Sequence, residues 1–163
     1  MNNTIIEVEK CELVNVWLEV ESQHYHPAID QTVYQYFVLP LQGKTADRAI
    51  IDVNLEKLGK VLDVYEAILG NTKGLARDFY SLADHHHLFY TNYFIKMPWA
   101  SLINSHPKVK AWWEDISSMP AFKKVVEGMT FGEKWSVCCL LITCILVWDH
   151  IIITDYVLWF PIN

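Results

Sequence analysis

Residues 45–69 read TADRAIIDVNLEKLGKVLDVYEAIL. Ile51, Leu55, Leu58, Leu62, Tyr65 and Leu69 follow one another at steps of four and three, which keeps a single stripe on one side of a helix. The spacing predicts one long helix from about Ala46 to Leu69. Thr45 is the expected N-cap, Asp47 suits the positive end of the helix dipole, and Gly70-Asn71 can end the last turn. Glu56 and Lys60 stand one turn apart on the wet face, a pair worth a few tenths of a kcal/mol, roughly.

On the N-terminal side, Leu13, Val16, Trp17 and Val20 mark an apolar stripe against Glu9, Glu12 and Glu19, predicting a helix over about Ile6–His26. Pro27 then opens a second segment in which Ile29, Val33, Tyr36 and Phe37 share a face until Pro40 and Gly43 end it. On the C-terminal side, Pro107 starts a helix carrying Val109, Trp112, Trp113 and Ile116, and Pro120 a short one through Val126. Trp112 and Trp113 are adjacent, so one is expected in the core and the other partly exposed. Strand alternation is nearly absent through Gly132. The expectation is an all-α bundle with one long central helix.

Between these lies FYSLADHHHLFY, residues 79–90. Ser81 and Asp84 have the spacing of a capping box, each side chain reaching the other's amide at a helix start. His85, His86 and His87 then diverge by successive steps around the helix, so they cannot converge on one metal ion. The i, i+4 pair of a helical zinc site is missing, and His24, His26 and Asp30 lack a further ligand at metal spacing. No metal is expected.

Net charge is −6 over 163 residues, with no lysine or arginine run, which argues against nucleic-acid binding. The charged N-terminus lacks a signal-peptide core, pointing to a cytoplasmic protein. Four cysteines (Cys11, Cys138, Cys139, Cys144) show neither zinc nor disulfide-framework spacing. Dinucleotide, Walker and nucleophile-elbow motifs are absent.

Four blocks together carry a family likeness: WLEVESQHYHPAI (17–29), NLEKLGKVLDVYEAIL (54–69), DFYSLADHHHLFY (78–90) and HPKVKAWWEDISSMPAFKKV (106–125). In this order they resemble the C-terminal domain of a plant phi-class glutathione S-transferase, over about Glu7–Lys134. The resemblance implies an all-helical domain over residues 1–135 that supplies one wall of an electrophile pocket and a dimer surface. By position in the matching motifs, Tyr34, Val38 and Tyr93 would line that wall. Glutathione is the family's co-substrate and is conjugated to apolar electrophiles. The family holds it, with the catalytic serine, in an N-terminal thioredoxin-like domain. This chain opens on the first helix of the second domain, so the resemblance implies no catalytic residue, no cofactor bound and no conjugation by this chain alone. Partners implied are apolar small molecules and a second subunit, identical or a full-length transferase, met through the first two long helices. Non-catalytic ligand binding or dimerisation is the alternative function.

Two departures stand near the capping box: Arg77 replaces a usual glycine, in a turn that can require positive φ, and His85 replaces a leucine or isoleucine. After Trp135 the pattern stops, and residues 136–163 form an atypical tail with a twelve-residue apolar run, Val137–Trp148, interrupted by Asp149. A mid-span aspartate costs about 2.5–3.5 kcal/mol, which handicaps a membrane anchor. An aberrant extension is the favoured reading, with a tail anchor or a partner-binding segment as alternatives.

His85 stands at the fourth helical position, facing Tyr80 just before the cap, where a hydrophobic staple normally forms. His85→Leu is expected to raise stability by up to about 1 kcal/mol. A melting temperature unchanged or lowered by the substitution sinks that expectation.

Overall fold

The computed structural model describes residues 2–127, and residues 1–122 form one compact unit. The tail expected from residue 136, its domain boundary and Cys138, Cys139 and Cys144 lie outside the described residues. Among the described residues all regular structure is helical, as the periodicity predicts.

Pro27 does not separate two helices. Helix α1 (Asn2–Val20) continues through a π turn, Glu21–Tyr25, into α2 (His26–Val33), then through a second π turn, Tyr34–Val38, into α3 (Leu39–Leu41). The His26 amide bonds the Glu21 carbonyl and the Leu39 amide bonds the Tyr34 carbonyl, each one residue further back than in an α-helix. Each wide turn sits just before a proline. A proline ring collides with the carbonyl four residues behind it, and a wider turn opens the ladder there.

The wide turns also alter which residues face inward. Ile29 and Val33 are buried, but Tyr36 is exposed and Gln35 takes the inward position. Val16, expected in the α1 stripe, is 56% exposed, while Leu13, Trp17 and Val20 are half-buried. Gln35 turns its position to use: its Oε1 accepts the Asp47 amide at 2.8 Å, which fixes the start of the next helix.

That helix, α4 (Arg48–Leu69), is capped by Asp47, whose Oδ1 accepts the Ala49 amide at 2.9 Å; Thr45 is not the cap. Ile51, Leu58, Leu62, Tyr65 and Leu69 are buried, joined by Asn54 in place of the half-buried Leu55. Asn54 is satisfied locally, donating to the Ile50 carbonyl. Gly70 ends the helix in right-handed conformation, and the Asn71 and Thr72 side chains bond the Ala67 and Ile68 carbonyls. Lys60 and Glu56 meet at 2.7 Å but are both exposed, so the pair adds little.

Helix α5 (Leu82–Phe94) begins at the capping box, followed by α6 (Ser101–Asn104), α7 (Pro107–Ser117) and α8 (Pro120–Glu127). Helices α2 and α7 pack on α4, and α5 packs on α1, α2 and α7. Trp112 and Trp113 are both buried, contrary to the expected split: Trp112 faces α5, and Trp113 meets Phe122 edge-on at 6.0 Å. Phe122, near the start of α8, covers the side that one helix alone would leave wet. Arg77 has φ 159°, next to ordinary extended backbone, so the expected need for glycine does not arise. The real constraint is three residues earlier. A Cβ on Gly74 would meet the Phe79 carbonyl oxygen at 2.7 Å and Asp84 Oδ1 at 3.2 Å. Beside the cap, Tyr80 Oη and His85 Nδ1 lie 3.1 Å apart, a polar contact where a staple would be apolar.

The start of α7 is capped from another helix. Pro107 at its first position has no amide, and the next two amides, of Lys108 and Val109, bond the Glu66 carboxylate of α4 at 2.9–3.0 Å. Glu66→Ala is expected to lower stability by about 1–2 kcal/mol and Glu66→Gln by less, since an acceptor remains. Urea unfolding midpoints test this. Equal midpoints for all three proteins would remove the cap from the list of what holds α7.

Candidate functional site

Tyr34 opens the second π turn and Val38 closes it, and both are half-buried. Tyr93 lies on α5, 2% exposed. Phe37, beside Val38, bridges the two segments: its ring is 6.0 Å from that of Tyr93, which also meets Phe89 at 5.1 Å. The rings continue outward from Phe37 to Tyr36 at 4.9 Å and from Tyr36 to Trp99 at 5.5 Å. A cation covers each end. Arg48 lies 5.0 Å from the Trp99 centroid and Lys96 Nζ 5.7 Å from that of Tyr93. The sequence placed Phe37 only on a face shared with Ile29, Val33 and Tyr36 and did not point to Trp99, because spacing gives no hint that a wide turn sets Phe37 beside α5.

Behind this wall, α5 is anchored by a fully buried carboxylate. Ser81 and Asp84 form the expected capping box. Asp84 Oδ2 accepts the Ser81 amide and hydroxyl, both at 2.9 Å. Its Oδ1 accepts the Leu75 amide at 3.0 Å and the Trp112 indole N–H at 2.9 Å. Four donors replace the water a buried charge loses.

Of the three histidines, only His87 is buried; His85 and His86 are exposed. His87 Nδ1 is 2.7 Å from the Ala83 carbonyl, which can only accept, so Nδ1 carries the hydrogen. Nε2 of the neutral ring then accepts the Tyr65 hydroxyl at 2.9 Å. Thr91 donates to the His87 carbonyl at 2.5 Å, leaving its oxygen to accept the Tyr25 hydroxyl at 2.6 Å. Burial pushes both tyrosines up and their hydroxyls stay protonated. Burial likewise drives His87 down to about 4, against the attraction of Glu21.

Glu21 is the acidic neighbour, 5% exposed in the first π turn. Burial alone would raise its carboxyl, but His26 and then His86 outweigh that and hold it at about 2. Their Nδ1 atoms lie 3.6 and 3.9 Å from the carboxylate, which are ion-pair rather than hydrogen-bond separations. Among the described residues no group of three or more His, Cys, Asp or Glu side chains is placed to hold a metal ion.

The family described as "Glutathione S-transferase, C-terminal domain" matches residues 29–120. "Glutathione S-transferase F13" of Arabidopsis thaliana is 54% identical over 122 residues, 75% of this chain and 56% of that protein. Among solved structures, glutathione transferase F7 from Populus trichocarpa is 62% identical, with a TM-score of 0.74 over 76% of this chain and 58% of that one. Glutathione S-transferase I from maize, in complex with an atrazine glutathione conjugate, is 42% identical with a TM-score of 0.74, covering 77% and 59% of the two chains. The chain thus spans about half the length of the curated relatives it matches.

Between pH 6.5 and about 4 the unfolded chain protonates at residue 87 while the native His87 stays neutral, so stability falls as pH drops through that window. The loss totals about 3 kcal/mol. Glu21 adds to it lower down: its contribution is complete above pH 4.5 and is lost as pH falls toward about 2. Urea unfolding at a series of pH values is expected to show the upper slope in the native protein and a shallower one in His87→Gln. An unchanged slope in the variant would refute this assignment.

Proposed function

The chain belongs to the glutathione S-transferase family, and from that premise we propose that its helical unit serves the electrophile's side of a thiol conjugation. The observation that carries the reading is the Phe37–Tyr93 contact, which closes the second π turn against α5. In this reading the half-buried Tyr34 and Val38 face an aromatic electrophile, and the buried Tyr93 backs the wall they form.

The reaction divides cleanly between two domains. The thiol of glutathione, with an ordinary pKa near 8.5, is mostly protonated at neutral pH and needs a hydrogen-bond donor to hold its thiolate. In this reading a thioredoxin-like domain supplies glutathione and that donor, and the helical unit holds the acceptor carbon in place. With an aryl halide the sulfur–carbon bond forms, halide leaves and the thiol proton passes to solvent. Positioning by rings suits this chemistry, since it fixes a planar acceptor without competing for the thiolate.

A second reading, a subunit that pairs with another transferase chain, is favoured by the exposed side chains of the two long helices. Val16 on α1 and Val53 and Val64 on α4 are 56%, 52% and 55% exposed. These valines belong to a dimer surface in this reading, with an identical chain or a full-length transferase as partner. No described helix is long and apolar enough to cross a membrane.

The purified 163-residue chain is expected to leave the rate of glutathione addition to an activated aryl halide at its uncatalysed background. Mixing it with a full-length phi-class transferase is expected to give a complex by light scattering if the pairing reading holds. Turnover by the chain alone, well above background, would overturn the division of labour.

A further inference from the structure

We draw no further inference here: the strongest candidate, the outward face of α4 on which Ile50, Val53, Val64 and Ile68 are exposed, continues the pairing surface already proposed, and nothing in the structure shows what covers it.

Discussion

The Asp84 carboxylate is the point on which the unit depends. It is fully buried, and its stability there rests on donors drawn from three places: the start of its own helix, the loop before it and the indole of α7. Burying a carboxylate without such partners would cost several kcal/mol, roughly, so the loop, α5 and α7 must assemble together. Gly74 is part of the same constraint, since a side chain there would press on both the loop carbonyl and Asp84. Once α5 is fixed in angle and register, His87 is carried under Tyr25 and Tyr65, and Tyr93 is carried to the second π turn.

The helices are joined by hydrogen bonds as much as by apolar packing. Gln35 holds the first residue of α4's cap, Glu66 caps α7 from α4, and Tyr65 reaches His87 on α5. Each bond satisfies a polar group at a helix junction, the Tyr65–His87 bond inside the buried core, so each favours one arrangement of the helices over nearby alternatives. His106 extends the α4–α7 junction, with its ring between the Leu102 carbonyl and Asp63. The region behind the aromatic rings is therefore tied together by polar contacts between helices.

The two π turns decide which side chains of this long helical segment face inward. Without them Pro27 and Pro40 would break the helix, and the segment from Tyr34 to Val38 would follow ordinary α-helical phase. The wide turn instead sends Gln35 inward and Tyr36 outward, and sets Phe37 against Tyr93. The proposed wall thus rests on a local departure in backbone geometry, with a proline on one side and α5 on the other.

The sequence by itself determined the all-helical class, the long α4 with its buried stripe, the starts of α7 and α8 at proline, and the Ser81–Asp84 box. Those features are encoded over one or two turns, where periodicity and capping chemistry act directly. It also excluded convergence of the three histidines, because helical geometry alone separates neighbours. What it could not supply were relations between residues far apart in the chain. The transfer of the α4 cap from Thr45 to Asp47 depended on Gln35, and the burial of both Trp112 and Trp113 depended on Asp84 and Phe122. Passage of a helix through Pro27 depended on a turn type that no residue pattern announces. Only the tertiary structure decided these, because a buried polar group or an aromatic ring takes its place from whichever distant partner satisfies it.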